Sequence, residues 1–251
     1  MPTRTRIGKQ QITLARALSK LGVVSRTQAV RLIREGKVKV DGRVVHSPNL
    51  WVDPRKERII VAGISARRKE RVYYAFHKPV GVITTRSDEL GRRTVYDLLP
   101  KTLPWVFPVG RLDRDTSGLL LLTNDTRFGE RITNPLSKVP KTYVVVLDRQ
   151  LAEKDRHVLE APMTLRDGTQ LQPAVVKPVP GAQPTFEITI VEGKNRQIRR
   201  MFRELGYGVI GLKRIRIGRI ELGSLKEGEL RPLSDEELKS LEPAFSRSLL
   251  K

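Results

Sequence analysis

Gly110-Arg111-Leu112-Asp113-Arg114-Asp115-Thr116-Ser117-Gly118-Leu119-Leu120-Leu121-Leu122-Thr123 joins a charged loop bounded by glycines to four consecutive leucines. Four apolar residues behind such turn chemistry read as a strand buried on both faces. That strand would hold the loop rigidly at a sheet edge, and rigidly held loops are where sites are built. The loop offers two acids, Asp113 and Asp115. An aspartate in a turn commonly does no more than satisfy backbone donors, so spacing alone leaves open whether either one does chemistry.

Further β-rich runs lie at 72–76, 142–147 and 186–191, interspersed with helical patterns, which makes the body of the chain α+β. Upstream, Lys78-Pro79-Val80-Gly81 has the residue preferences of a type I turn. Gly91-Arg92-Arg93-Thr94 is a basic tip leading into a short apolar helix or strand, Val95-Tyr96-Asp97-Leu98-Leu99. Downstream, Lys141-Thr142-Tyr143 opens a strand in which Tyr143 shares a face with Val145 and Leu147. A core tyrosine and a functional one are both compatible with that position, because the ring can pack while the hydroxyl is presented.

In Glu192-Gly193-Lys194-Asn195-Arg196-Gln197-Ile198-Arg199-Arg200-Met201-Phe202, Asn195 can cap a helix that Gly206 terminates. Ile198, Met201, Phe202 and Leu205 mark its buried stripe. With Ile198 at zero, Arg199 falls at about 100° and Arg203, Arg196 and Arg200 at about 140°, 160° and 200°. Arg199 is therefore the arginine at the margin of the core, where it needs an acidic partner.

Toward the amino terminus, Leu14, Ala17, Leu18 and Leu21 recur at helical spacing before Gly22. Ser25 and Gln28 form a capping box for a second helix, carrying Ala29, Val30 and Ile33 and ended by Gly36. Val38 and Val40 then lead through a type I′ turn at Asp41-Gly42 to Val44, a hairpin expected to bury one valine face. Around this small core stand Arg16, Lys20, Arg26, Arg31, Arg34, Lys37, Lys39 and Arg43, which point to RNA contact. The charged run at 66–71 reads as a solvated linker or an additional phosphate contact, so the chain is expected to divide into 1–65, a linker at 66–71 and 72–251.

The composition agrees. Over 251 residues, 48 lysines and arginines against 27 acids give a formal charge of +21 at pH 7, which favours a polyanionic partner. No apolar run approaches the ~20 residues needed to span a bilayer, and no signal-peptide pattern precedes the body, so a cytoplasmic protein without a membrane partner is expected. Cysteine is absent and the three histidines, His46, His77 and His157, are far apart, which removes thiol chemistry and leaves no ligand spacing for a metal.

The two short helices followed by Glu35-Gly36-Lys37-Val38-Lys39-Val40-Asp41-Gly42 resemble the small RNA-binding domain named after ribosomal protein S4. The stretches Lys78-Pro79-Val80-Gly81, Gly91 to Pro100 and Gly110 to Thr123 resemble the RsuA/RluB family of rRNA pseudouridine synthases, a likeness that spans essentially the whole chain. The resemblance implies a mixed, largely antiparallel β-sheet flanked by helices behind the S4-type module. It places the nucleophile on Asp113, not Asp115, gives Tyr143 stacking on the target base and proton chemistry, and pairs Arg199 with the catalytic aspartate. Arg111, Lys141, Asn195, Arg196, Gln197 and Arg200 are the RNA contacts expected around it.

The implied substrate is ribosomal RNA or a ribosome assembly intermediate, with large-subunit rRNA favoured by overall likeness, and the protein is expected to act as a monomer. Uridine and pseudouridine are isomers, so the conversion needs no cofactor, but the aspartate must stay ionised in a partly dry pocket, with Arg199 as counter-charge. A catalytically silent rRNA-binding or ribosome-assembly factor would share the charge and the amino-terminal module. It would have no need of Asp113, Tyr143 and Arg199 together. A phosphoryl-transfer enzyme would require a Gly-rich Lys-Ser/Thr phosphate loop, which the chain lacks.

Overall fold

The computed structural model describes residues 11–66, 70–86, 88–182 and 184–241. In it the helical spacing of Leu14, Ala17 and Leu18 produces helix α1 (Leu14–Lys20), with all three side chains fully buried. Ser25 caps α2 (Arg26–Arg34), and both halves of its capping box with Gln28 are formed. Each helix stops where a glycine enters the left-handed region, Gly22 at φ +72° and Gly36 at φ +69°. The next N–H in each case, Val23 to Leu18 O at 3.2 Å and Lys37 to Leu32 O at 2.9 Å, closes a Schellman motif.

The hairpin β1 (Val38–Val40) and β2 (Arg43–Val44) turns through Asp41 and Gly42, both at positive φ as a type I′ turn requires. With β3 (Ile59–Val61) and β4 (Ile64–Ser65) it forms a four-stranded sheet in the order β2-β1-β3-β4. Val38, Val40, Ile59 and Val61 pack from this sheet against Leu14, Leu18, Ala29 and Ile33. Val44 does not join that face, contrary to expectation. Its register partner is Lys39, so the pleat turns it to solvent, and it is 48% exposed.

Arg16, Lys20, Arg26, Arg31, Arg34, Lys37, Lys39 and Arg43 are all exposed. Glu35 draws in two of them, Lys37 at 2.8 Å and Arg31 at 3.6 Å. Of the expected linker, 67–69 lie outside the described residues, as does the arm at 1–10. Arg71 pairs with Asp125 at 3.2 Å, and Asn124 bonds Glu70 O at 2.8 Å and Val72 N–H at 3.0 Å. This first unit accordingly comprises residues up to 72 together with 103–107 and 124–126, a less simple division than a break near residue 65.

The second unit is built on one mixed sheet. Its strands are β5 (Tyr73–Lys78), β6 (Ser117–Thr123), β7 (Lys141–Leu147), β8 (Val175–Pro178), β9 (Thr185–Ile190), β10 (Val209–Ile217) and β11 (Leu230–Pro232). They lie in the order β8-β9-β7-β10-β6-β5-β11, and two short strands off this path bring the sheet to nine among the described residues. Every neighbouring pair along the path is antiparallel except β6 and β10, which are parallel. Leu119, Leu120, Leu121 and Leu122 are all fully buried, so both faces of β6 are covered.

Helix α3 (Thr126–Thr133) sets Phe128 and Ile132 in one cluster with Leu119 and Leu121, and helix α4 (Gln197–Glu204) buries Ile198, Met201 and Phe202. The expected α+β architecture is therefore present. Among the described residues no helix is long and apolar enough to cross a membrane.

Candidate active site

The loop between Gly110 and Gly118 is tied down along its whole length. Thr84, 5% exposed, donates its hydroxyl to Leu112 O at 2.8 Å and accepts from Leu112 N–H at 3.2 Å, which fixes the backbone just before Asp113. Thr116 N–H bonds Asp113 O at 3.1 Å, and Gly81 N–H bonds Arg114 O at 2.8 Å. The Asp113 side chain stands in this frame 37% exposed, on the wall of a cleft of about 510 Å³. Pockets of that size commonly hold small ligands or a nucleotide base.

Gly118 sets the geometry behind the loop. At φ +107° it lies beside Arg214 of β10, and a Cβ there would stand 2.2 Å from Arg214 O. Only glycine lets β6 approach β10 this closely. The last residue of the motif is thus a packing requirement.

Two guanidiniums converge on the loop's second acid. Arg196 grips the Asp115 carboxylate at 2.8 and 3.1 Å. Arg199 lies 3.2 Å from it through Nε, donates Nη2 to Asp115 O at 2.7 Å and donates Nη1 to Val209 O at 2.9 Å. Hydrogen bonding from Arg196 first, then the charge of Arg199, holds the Asp115 carboxyl below its ordinary range against the effect of burial. Asp115 is the loop-stabilising acid.

The expected pairing of Arg199 with Asp113 is therefore corrected. The guanidinium near Asp113 belongs to Arg196, whose Nη1 is 3.8 Å from Asp113 Oδ2. The helical wheel had turned Arg196 away because it assumed helical backbone. Arg196 is in fact the N-cap of α4, in the left-handed region at φ 47° and ψ 34°, and no longer follows the helical repeat. Asn195 consequently does not cap the helix, and no side chain at the N-cap does. Gly206 does terminate it, at φ +81° with Tyr207 N–H on Phe202 O at 2.9 Å.

Tyr143 lines the same cleft as Asp113 and Arg199, together with Lys141, Arg111 and Asn195. Its ring is largely buried, at 9% exposure, in line with Val145 and Leu147. Burial, and after it the charge of Arg214, pushes the Lys141 ammonium down to about 8. Besides Arg196, two of the expected RNA contacts are used internally instead. Gln197 is 3% exposed and bonds Glu192 at 2.8 Å and Lys194 N–H at 3.0 Å. Arg200 is committed to Asp167 and Thr169. One turn into the helix, its outward direction meets the loop carrying those two residues, not solvent.

Two further buried cations are Lys78, which stands in the Lys78-Pro79-Val80-Gly81 stretch without being expected at the site, and Arg214, which no motif marked. Lys78 is fully buried, donates Nζ to Pro79 O at 2.8 Å and is pushed down to about 8 by burial, against the pull of Asp115, Asp113 and Glu227. Arg214 is 5% exposed and reaches the Tyr143 hydroxyl at 3.5 Å. Pairing between β7 and β10 places Arg214 opposite Tyr143 and buries it there.

A motif-bounded acid on a cleft wall, an aromatic partner and a cationic surround can be compared with known proteins. Residues 72–204 match the RNA pseudouridylate synthase family, and residues 13–57 match the S4 domain. A ribosomal large subunit pseudouridine synthase B of Bacillus subtilis is 38% identical over 91% of this chain and 94% of its own length. An uncharacterized RNA pseudouridine synthase of Aquifex aeolicus is 37% identical over 92% and 94%. A crystal structure of a pseudouridylate synthase, 32% identical, superposes with a TM-score of 0.68 over 92% of this chain and 99% of that one. With the match running through both units, this chain belongs to the RNA pseudouridylate synthase family and carries an S4 domain ahead of its catalytic fold.

Proposed function

We infer that the protein converts specific uridines of ribosomal RNA to pseudouridine, with the large-subunit RNA as preferred substrate, and that Asp113 is its nucleophile. The observation that supports this reading is that Asp113, on a backbone clamped at Leu112, lines the same cleft as Tyr143. The relative from Bacillus subtilis, named for the large ribosomal subunit, supports the choice of RNA. The protein would act in the cytoplasm as a monomer, on rRNA or on an assembly intermediate.

The Asp113 carboxylate takes C1′ of the ribose as the C1′–N1 bond breaks and the base departs with the electron pair. The base then turns, C5 returns to C1′ and displaces Asp113, C5 loses its proton and N1 gains one. Atoms and charge balance without a further reactant. Arg196 sets its guanidinium 3.8 Å from the Asp113 carboxylate, while Arg199 acts one step back, fixing Asp115 and the loop.

A target uridine must first leave its stack, at a cost of a few kcal/mol. Stacking on Tyr143 can return ~1–3 kcal/mol. Phosphate contacts by Arg111, Lys141, Asn195 and the exposed basic residues of the S4 domain supply the rest, which makes binding steeply salt-dependent.

Asp113→Asn, an isosteric change on an already open side chain, should abolish pseudouridine formation in rRNA from cells lacking the protein while leaving RNA affinity and melting temperature intact. Continued conversion by that variant would exclude Asp113 as nucleophile. Mapping pseudouridines in rRNA with and without the protein would identify the uridine.

A further inference from the structure

Arg214 occupies the middle of the sheet, opposite Tyr143 on β7 and Gly118 on β6. Its Nε donates to Leu119 O at 2.7 Å, its Nη1 reaches the Tyr143 hydroxyl at 3.5 Å, and its guanidinium carbon is 5.9 Å from the Tyr143 ring centroid. Neither partner is a carboxylate. Nη2 is buried without a hydrogen-bond partner, in a side chain that is 5% exposed and lines the cleft.

Buried guanidiniums are ordinarily paired with a carboxylate, and an unpartnered buried donor is costly. Among the described residues, no carboxylate is hydrogen-bonded or ion-paired to Arg214. Lys141, on the same cleft, has its proton loosened by burial and by Arg214. Arg214 therefore brings a charged donor without a partner to the wall of a cleft whose carboxylates, Asp113 and Glu192, make no hydrogen bond to it among the described residues.

The reaction supplies the missing anion, provided the functional reading above holds. When C1′–N1 breaks, both electrons leave with the base, and the negative charge spreads from N1 to the carbonyl oxygens O2 and O4. We propose that Arg214 is a catalytic residue whose free Nη2 binds a carbonyl oxygen of the detached uracil anion, with Lys141 adding to the field. It retains the base while the base turns to present C5. Donors held in place where charge develops act without reorganising and are worth most in a site from which water is excluded. The bond to the Tyr143 hydroxyl fixes the stacking ring and the anion donor as one unit. A phosphate of the RNA backbone is the other anion to consider. It is less suited to a side chain 5% exposed in the sheet, because a backbone phosphate stays at the cleft mouth.

The test uses the full chain and rRNA labelled with [5-³H]uridine in cells lacking the protein, with tritium release as readout. Arg214→Gln should lower kcat by ~10²–10³-fold and change KM little. Arg214→Ala should regain activity when guanidinium ion is added at sub-denaturing concentration, while the parent protein should not respond. Arg214→Lys, which keeps charge and fold but cannot bond Leu119 and the base at once, should lose kcat without loss of melting temperature. The inference is overturned if Arg214→Lys and Arg214→Gln turn over like the parent. It is equally overturned if the variants raise KM at unchanged kcat, the mark of a phosphate contact, or if Arg214→Ala is not rescued. Absence of tritium release from the parent protein would instead overturn the functional reading itself.

Discussion

Gly118→Ala should damage both stability and catalysis through one contact. The added Cβ would lie 2.2 Å from Arg214 O and 2.6 Å from Arg214 N, where ordinary contact begins at 3.4 Å. Relief requires β6 and β10 to part by roughly 1 Å at the parallel rung between Gly118 and Arg214. Overpacking of this kind costs about 1–3 kcal/mol, and a non-glycine residue at φ +107° adds ~1–3 kcal/mol. A middle value of about 4 kcal/mol corresponds to a loss of roughly 8–16 °C in melting temperature for a domain of this size.

The same shift moves the Asp113 loop on one side and Arg214 on the other, and a misplacement of ~1 Å costs about 10²-fold in rate. Differential scanning calorimetry and tritium release on one preparation measure both. Gly168→Ala is the control, because Gly168 has φ +79° but nothing within 4 Å of an added Cβ. It carries the backbone penalty of ~1–3 kcal/mol without the clash, and should show normal turnover. A Gly118→Ala protein that melts and turns over like the Gly168→Ala control would refute the argument that this approach sets the site.

Two further outcomes follow from the charges. Burial and Arg214 push Lys141 down to about 8, so its charge is present below that pH and lost above it, while a bound phosphate favours the charged form. RNA affinity should accordingly be flat below about pH 7 and fall by up to ~tenfold per unit above 8, and Lys141→Gln should bind more weakly with that pH dependence largely removed. Lys78, pushed down to about 8 as well, is fully buried and bonded to Pro79, so it should not substitute for Lys141 in filter-binding titrations. In the S4 domain, joint replacement of Arg16, Lys20, Arg26 and Arg34 by glutamine should flatten the slope of log affinity against log salt by about 3. An unchanged slope would remove that surface from the RNA interface.

Much of this was legible locally. The capping box at Ser25 and Gln28, the Asp41-Gly42 turn and the buried leucine strand each rest on neighbours in sequence, whose preferences act over a few residues. The resemblance carried Asp113 and Tyr143 to one cleft. It did not carry the ion pairs correctly, because side chains of similar length compete for two acids only two positions apart. Arg199 took Asp115, and Arg196 was left nearest Asp113. Gln197 and Arg200 looked like surface groups because the segments that cover them, at Glu192 and at Asp167 and Thr169, are distant in sequence or turned back by loops.

By itself, then, the amino-acid sequence determined the S4 helices and hairpin, the buried leucine strand, the catalytic family, the cationic character and the candidate aspartate, all of which depend on short-range periodicity and turn chemistry or on a contiguous motif. Tertiary structure alone decided which cations serve the cleft. A left-handed residue at the start of α4 redirected Arg196, and pairing between β7 and β10 placed Arg214 opposite Tyr143 and buried it there. The physical reason is that a side chain's direction is set by the backbone rung it occupies. That rung is chosen by pairing between strands about seventy residues apart, as with Tyr143 and Arg214.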